Sequence, residues 1–252
     1  MEAETKSSGG NSFICLHGNL QTNTVWNQFS DFFSSFSGCE YSLFAPDLWR
    51  LAGASLNDIT CKLAREIKAQ RETGNILIGY SLGGRIGFEL IKQLSSLFKA
   101  AIIISAHSGN LTERERKDVL GNDRVMAERF LKTPWHELLS YWDTLPVFGG
   151  MPCRVKRAEN DFERQKLSQM IINCSKAYQS NFLELTSLTL PILYLSGEKD
   201  PKYCVIGKAL VKQFPETVSH VIIPKAAHRV PWDNPDGFKS AVEHFLNRVL
   251  VR

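Results

Sequence analysis

Short apolar runs alternate with amphipathic stretches over the first hundred residues of the chain. Four runs have the length and apolar content of buried strands: residues 12–18, 41–48, 75–80 and 100–105. Between them, residues 55–70 and 83–98 place apolar side chains at helical spacing. Strands that alternate with helices predict an α/β fold, with a mostly parallel central sheet covered by helices on both faces.

This alternation stops between residues 107 and 185, where patterns such as RVMAERFL and PWHELLSYW indicate helices only. It then resumes with strands at 190–197 and 220–224, a helix from about Val205 and a closing helix at 236–250. Because the flanking strands on both sides are needed to complete one sheet, the insert cannot be a separate unit. We therefore expect a core of residues 12–106 and 186–252, a helical cap at 107–185, and a disordered tail at 1–11.

Composition excludes several classes of function. A net charge of +4 over 252 residues, without a basic run that carries aromatic residues, disfavours nucleic-acid binding. The polar start MEAETKSSGGNS is unlike a signal peptide, and no apolar run approaches the ~18–20 residues of a membrane span. The six cysteines are scattered without a C-x-x-C pair, which favours reduced thiols and no metal site. We expect a cytoplasmic protein without membrane attachment.

The first candidate for chemistry is the sequence GYSLG at residues 79–83, where an apolar strand gives way to an amphipathic helix. The pattern G-x-S-x-G at such a turn is a nucleophile elbow. A turn this tight strains the backbone of Ser81 and brings neighbouring chain so close that a Cβ at Gly79 or Gly83 would clash. The elbow would hold Ser81 Oγ clear of the sheet edge, above the start of the next helix.

A serine needs a general base, and the chain position of the histidines selects one. Where this elbow is used, the order along the chain is nucleophile, acid, histidine, with the last two on loops after late strands. Five histidines are poorly placed for that order: His17, His107, His136, His220 and His244. His228 lies in the loop PKAAHRVPWDNP after the last strand and is the predicted base.

The acid that would orient His228 is predicted to be Asp200, which ends YLSGEKD directly after a buried strand. Glu198 is the close competitor, and a turn carboxylate that caps the next helix is the structural alternative. The carboxylate would hold the imidazole in one tautomer and stabilise the imidazolium. Two backbone N–H groups would form the oxyanion hole: Leu82 at the helix start and Asn19 in the loop after the first strand.

These segments resemble a known family. LHGNLQTNTVW, GYSLGGRIGFEL, YLSGEKDPKY and AAHRVPWDNPDGF look like the α/β-hydrolase superfamily and, within it, the 2-succinyl-6-hydroxy-2,4-cyclohexadiene-1-carboxylate synthases of menaquinone biosynthesis. The more specific marks of the resemblance are Tyr80, Arg85 and, in the cap string LLSYWDTLPVF, Trp142. The chain departs from the family pattern in its cap, where Val119 and Leu120 replace a basic residue and MIINCSKAYQSN lacks a later arginine.

The resemblance implies a lyase without a cofactor. A histidine-activated serine removes a proton, pyruvate leaves, and the oxyanion hole holds the developing enolate. It also implies that Tyr80, Arg85 and Trp142 contact a small acidic substrate; Arg85 lies one helical turn beyond Ser81 and so on the same face. Two alternatives stay open: a hydrolase of carboxylic esters or thioesters resembling the pimeloyl-carrier-protein methyl ester esterases, and a non-catalytic binding protein of the same fold.

Overall fold

A computed structural model describes residues 12–36, 41–70 and 74–250 of the chain. Within them six strands form one sheet: β1 (Ser12–Leu16), β2 (Ser42–Phe44), β3 (Asn75–Tyr80), β4 (Phe98–Ile104), β5 (Ile192–Gly197) and β6 (Val218–Ile223). The strand order is β2-β1-β3-β4-β5-β6, and every neighbouring pair is parallel. The predicted α/β fold with a parallel central sheet is confirmed. The tail expected at 1–11 lies outside the described residues.

The α-helices alternate with these strands, apart from those between β4 and β5. They are α1 (Ser30–Ser34), α2 (Leu56–Gln70), α3 (Leu82–Leu94), α4 (Glu113–Lys132), α5 (Trp135–Asp143), α6 (Arg164–Asn173), α7 (Pro201–Gln213), α8 (Val230–Asp233) and α9 (Pro235–Leu250). None of the helices in the described part of the chain is long and apolar enough to cross a membrane.

The strand expected at 41–48 extends only over Ser42–Phe44, and two predicted helix boundaries were wrong by several residues for identifiable reasons. The helix expected from about Val205 begins at Pro201, since Asp200 takes the N-cap position and proline suits the first helical residue. The helix expected to run to residue 98 ends at Leu94, and β4 begins at Phe98. Apolar residues continue across that junction, so hydrophobic pattern alone does not mark the turn.

Each face of the sheet is buried against a different set of helices. On one face, α2 and α3 pack over residues such as Leu77 and Ile103. On the other, Trp26 and Phe29 near the start of the chain meet side chains from the last two helices. The ring centroids of Phe29 and Phe238 lie 5.1 Å apart, and those of Trp26 and Trp232 lie 5.5 Å apart.

The chain between β4 and β5 is helical, and no strand occurs in it. Its first long helix begins with a capping box in which Thr112 and Glu115 satisfy each other's backbone N–H groups. The two ends of this segment meet, because the Phe182 N–H donates to the Ser108 oxygen at 2.7 Å. Gly109 fits there with a φ of +82°, and a Cβ would stand 2.1 Å from the Ser180 oxygen. The segment thus leaves and rejoins the core at one point.

Candidate active site

The turn between β3 and α3 has the strained geometry that its sequence predicts. Ser81 adopts φ 52° and ψ −106°, a conformation that costs a non-glycine residue about 1–3 kcal/mol. A Cβ at Gly79 would stand 2.7 Å from the Gly83 oxygen, and one at Gly83 would stand 2.3 Å from the Leu16 oxygen. The expected clash at both glycines is confirmed. The Gly83 N–H also donates to the His17 oxygen at 3.1 Å, which ties the elbow to the loop after β1.

Asp200 and His228 lie on the loops that follow β5 and β6. The Asp200 N–H donates to the Gly197 oxygen at 3.0 Å, which closes the turn that ends β5. The loop after β6 is fixed by Asp233, whose carboxylate accepts from the Ala227 N–H at 2.9 Å. The His228 N–H donates to the Val147 oxygen, in the segment between β4 and β5, at 3.2 Å. Backbone contacts on both sides therefore set the position of the imidazole.

The side chains of Ser81, His228 and Asp200 form one hydrogen-bonded chain. His228 Nδ1 lies 2.7 Å from Asp200 Oδ2, and His228 Nε2 lies 3.1 Å from Ser81 Oγ. A carboxylate can only accept, so Nδ1 carries the proton and Nε2 is left to accept from the serine hydroxyl. Asp200 is 1% exposed and His228 is 5% exposed. This is the geometry of a nucleophile, its base and an orienting acid.

The competing candidates have other roles in the structure. His17 is fully buried, with Nδ1 donating to the Gly18 oxygen and Nε2 accepting from the Leu48 N–H. His244 is exposed on α9. The Glu198 carboxylate accepts from the Lys225 N–H at 2.9 Å and so stabilises a turn. Of the residues weighed as acid or base, the hydrogen-bonded chain contains only Asp200 and His228.

Of the two residues expected to form the oxyanion hole, Leu82 directly follows Ser81 and Asn19 lines the same cavity. Leu82 is the first residue of α3, in the turn whose N–H groups have no partner within a helix. Asn19 lines the same cavity as Ser81, while the neighbouring Gly18 N–H is taken by Gln21 Oε1 at 3.0 Å. Leu20, with φ 52°, turns the chain sharply after Asn19.

A cavity of about 390 Å³ opens over Ser81 and His228. The three residues that the family resemblance implies for substrate contact, Tyr80, Arg85 and Trp142, all line it. Its aromatic wall includes Phe148, whose ring centroid lies 5.7 Å from that of His228. Trp135, at the start of the same helix as Trp142, packs on Phe162 and donates Nε1–H to the Arg157 oxygen at 3.0 Å.

One end of the cavity is charged. Arg85 and Lys176 line it together with Asp123, and Arg85 Nη1 donates to the Cys174 oxygen. Burial lowers the pKa of Arg85 and raises that of Asp123. Burial, then the positive charges of Lys202 and Arg85, lower the pKa of Lys176 to about 8. Lys176 was missed from sequence, because a lysine after a helix gives no pattern that distinguishes it from a surface residue.

A second ionic group borders the cavity near His228. The Asp143 carboxylate accepts from Arg157 at 3.1 and 2.6 Å and also from Arg229 Nη2. The Arg229 guanidinium carbon lies 3.7 Å from the ring centroid of Phe148. Arg157 and Arg229 line the cavity, and both were missed from sequence, although Arg229 directly follows the predicted base.

Comparison with known proteins identifies the family of this chain. The model of the alpha/beta hydrolase family matches residues 13–241. The chain belongs to this family. The resemblance to the 2-succinyl-6-hydroxy-2,4-cyclohexadiene-1-carboxylate synthases is also confirmed. The enzyme of that name from Photorhabdus laumondii is 32% identical over 207 residues, which cover 76% of this chain and 69% of that protein.

A second synthase, from Escherichia coli O1:K1, is 25% identical over 252 residues, with 92% of each chain covered. The solved structure of MenH from S. aureus superposes with a TM-score of 0.83 at 19% identity, covering 99% of this chain and 97% of the other. The fold is therefore that of the α/β hydrolases, and the protein is an enzyme of that family.

Proposed function

We propose that the protein eliminates pyruvate from a small carboxylate-bearing substrate, as a 2-succinyl-6-hydroxy-2,4-cyclohexadiene-1-carboxylate synthase of menaquinone biosynthesis. The observation that carries the proposal is the hydrogen bond of 3.1 Å between His228 Nε2 and Ser81 Oγ, in a cavity whose charged end holds Arg85. A serine paired with a base next to fixed positive charge suits proton removal from an anionic substrate. The similarity to the Photorhabdus enzyme supports the choice of substrate.

The proposed reaction starts with proton transfer. His228 takes the hydroxyl proton of Ser81 through Nε2, and Ser81 Oγ takes a proton from the substrate carbon. Asp200, on Nδ1, stabilises the imidazolium that results. The electron pair of the broken C–H bond moves onto a substrate carbonyl oxygen as an enolate. The amides of Leu82 and Asn19 are the proposed donors to that oxygen, since Leu82 directly follows Ser81 and Asn19 lines the same cavity.

Collapse of the enolate forms a carbon–carbon double bond and breaks the carbon–oxygen bond to the leaving group. The group leaves as the enolate of pyruvate and takes the proton held on His228 at its carbon, which gives pyruvate and returns the enzyme to its starting state. Arg85 would hold a substrate carboxylate throughout, because a guanidinium stays charged at working pH and binds carboxylates through two N–H groups. The helical segment at 107–185 would act as the cap that excludes water, with Trp142 against the substrate.

Pyruvate release tests this function directly. The purified chain is given the acidic menaquinone precursor, and pyruvate is followed with lactate dehydrogenase and NADH. The same protein is assayed separately with p-nitrophenyl acetate and butyrate. Ser81→Ala is the matched variant, since it removes Oγ and keeps the turn.

We expect pyruvate release by the wild-type chain and its loss by about 10³-fold or more in Ser81→Ala. Efficient cleavage of the neutral esters without pyruvate release would instead indicate the ester or thioester hydrolase. Absence of both activities, with no labelling of Ser81 by a fluorophosphonate, would indicate a binding protein.

A further inference from the structure

Tyr203 is placed beside the candidate base by the helix that follows Asp200. It is the third residue of α7, and its N–H donates to the oxygen of Asp200, the N-cap residue, at 3.1 Å. Its ring centroid lies 4.7 Å from that of His228, and the two ring planes are inclined at 57°. The rings of Tyr80 and Phe148 also pack on the imidazole, at longer centroid distances of 5.6 and 5.7 Å. The Tyr203 ring is therefore in direct contact with the base.

The hydroxyl of Tyr203 takes no part in the hydrogen-bonded chain of Ser81, His228 and Asp200. The residue is 9% exposed and lines the cavity over Ser81. Within the described part of the chain, its hydroxyl has no hydrogen-bond partner. The buried Tyr194, by contrast, donates to the Ala106 oxygen at 2.8 Å. Buried tyrosines usually find such a partner, so an unpaired hydroxyl in a cavity wall is free to bond a ligand.

This hydroxyl keeps its proton near pH 7. Burial, then the charge of Asp200, raise the pKa of Tyr203 above its usual value, while the charge of Arg85 lowers it. A neutral phenol donates one hydrogen bond and carries no charge that would repel an anion. Such a donor binds an oxygen more strongly once the oxygen becomes negative, so it suits a charge that develops during a reaction.

The strand order places Tyr203 on the opposite side of Ser81 from Asn19. Along the sheet the order is β1-β3-β4-β5; Asn19 follows β1, Ser81 follows β3 and Tyr203 belongs to the helix after β5. The segments that follow parallel strands meet at one edge of the sheet in the order of those strands. Asn19 and the Tyr203 hydroxyl therefore approach a bound substrate from different sides and serve different oxygens.

The proposed reaction places negative charge on two oxygens in turn. The carbonyl oxygen gains charge when the substrate carbon loses its proton, and the amides of Leu82 and Asn19 are the donors proposed for it. The bridging oxygen gains charge when the carbon–oxygen bond breaks, because the group leaves as the enolate of pyruvate. A fixed donor that faces this second charge lowers the barrier to bond breaking.

We propose that Tyr203 is a further catalytic residue, whose hydroxyl donates a hydrogen bond to the leaving oxygen as the carbon–oxygen bond breaks. The electron pair of that bond stays on the oxygen, the phenol proton stays on Tyr203, and the pyruvate carbon takes its proton from His228. The inference rests on the proposed function for the identity of the leaving group. It separates proton removal, carried out by Ser81 and His228, from departure of the leaving group, assisted by Tyr203.

Tyr203→Phe tests this role, because it removes the hydroxyl and keeps the ring that packs on His228. Tyr178→Phe is the matched control, since Tyr178 is 57% exposed and lies outside the lining of the cavity. Both variants and the wild type are given the acidic menaquinone precursor in deuterium oxide. Pyruvate reports departure of the leaving group, and deuterium in the recovered precursor reports removal and return of the proton.

We expect Tyr203→Phe to lower kcat about 10–150-fold, the loss of one hydrogen bond to a charged oxygen, with KM within about twofold of the wild type. An enolate that departs slowly returns to the precursor, so the deuterium incorporated per pyruvate released should rise. Tyr178→Phe should match the wild type in both measurements. An unchanged kcat in Tyr203→Phe, or an equal fall in pyruvate release and deuterium incorporation, would overturn the proposal.

A measurement without turnover separates this inference from the proposed function. Oxalate resembles the enolate of pyruvate, because it places a second charged oxygen beside a carboxylate, whereas pyruvate has a neutral carbonyl there. Each is titrated into the wild type and Tyr203→Phe by calorimetry. The ratio of oxalate to pyruvate affinity should be at least about tenfold higher in the wild type.

The two failures are then distinguishable. A wild-type chain that releases no pyruvate but shows the higher oxalate ratio loses the lyase assignment and retains Tyr203 as a donor to an oxyanion. Pyruvate release with an unchanged kcat in Tyr203→Phe retains the lyase assignment and loses the donor. An equal oxalate ratio in the two chains overturns the donor whether or not pyruvate is released.

Discussion

Arg229, the residue after the candidate base, donates to the carboxylate of Asp143 at the end of α5 and so links the histidine loop to the helical segment over the cavity. Asp143 also accepts two hydrogen bonds from Arg157. The side chains of Arg157 and Arg229 are 7% and 5% exposed, so one carboxylate compensates two nearly buried guanidiniums. Removing one partner of a buried ion pair leaves the other charge buried without compensation, and this lowers the free energy of unfolding strongly.

Asp143→Asn should therefore destabilise the protein by about 2–4 kcal/mol, measured as the free energy of unfolding in urea. We expect a value toward the lower end of this range, because the Asp143 side chain is 29% exposed and solvent screens part of its charge. Asp118→Asn on the exposed face of α4 is the control, with the same change in charge, and should stay within about 0.5 kcal/mol of the wild type. Equal stabilities for the two variants would show that the arginines find other partners.

The elbow glycines give a sharp steric prediction. Gly83→Ala places a Cβ 2.3 Å from the Leu16 backbone oxygen, which cannot move without shifting β1. We expect loss of at least about 4 kcal/mol of stability, or no soluble protein. Gly121→Ala is the matched control, since a Cβ there, in the exposed part of α4, would meet no atom within 4 Å beyond the neighbouring backbone of its own helix. It should stabilise the protein by about 0.5–1 kcal/mol, because alanine is the better helix former.

His107 should make the protein acid-sensitive. Its Nδ1 accepts from the Gly109 N–H at 3.0 Å and the residue is buried, so burial and nearby cations lower its pKa to about 3. The pKa of the unfolded state is near 6.5 and that of the folded state is about 3. Between pH 6.5 and pH 3 only the unfolded state binds the proton, so the free energy of unfolding falls as the pH falls. His107→Asn, whose side-chain oxygen can accept the same bond, removes this dependence.

From pH 6.5 to pH 4.5 the wild type should lose about 1–3 kcal/mol more than His107→Asn, in urea titrations at each pH. His244→Asn on the exposed face of α9 should follow the wild-type profile. The same slope for the wild type and His107→Asn would mean that His107 is protonated in the folded protein.

Arg85 should contribute to binding more than to chemistry. If it holds a carboxylate equally in the ground and transition states, its loss raises KM and leaves kcat nearly unchanged. For Arg85→Ala we expect KM for the acidic substrate to rise about 10–150-fold, the equivalent of ~1.5–3 kcal/mol. Arg85→Lys keeps a charge and should recover part of the loss. A fall in kcat with KM unchanged would place Arg85 in the chemical step instead.

The sheet and the elbow could be predicted from the sequence because each depends on residues that are neighbours in the chain. Strands β3 and β5 are buried throughout, so each reads as a continuous apolar run, and the clash at Gly79 and Gly83 follows from the turn itself. The meeting of Ser81, Asp200 and His228 could be predicted because parallel strands bring the loops that follow them to one edge of the sheet. Their catalytic roles remain predictions.

The charged parts of the cavity could not be predicted in the same way. Lys176, Asp143 and Arg157 lie in the helical segment, and what distinguishes them is contact with residues far away in the chain. Such long-range contacts leave no periodic pattern in the sequence. The two tryptophans of α5 show the same limit: Trp142 lines the cavity whereas the Trp135 ring packs on Phe162, and the local pattern does not distinguish them.

The aromatic contact between Phe29 and Phe238 has a consequence for synthesis on the ribosome. Trp26 and Phe29 are translated long before α8 and α9, whose side chains Trp232 and Phe238 pack against them. The nascent chain must therefore carry an uncovered aromatic surface while everything between is being made. Chaperones that bind exposed aromatic segments would meet the nascent protein at the segment around Trp26 and Phe29, and folding of α9 would release them.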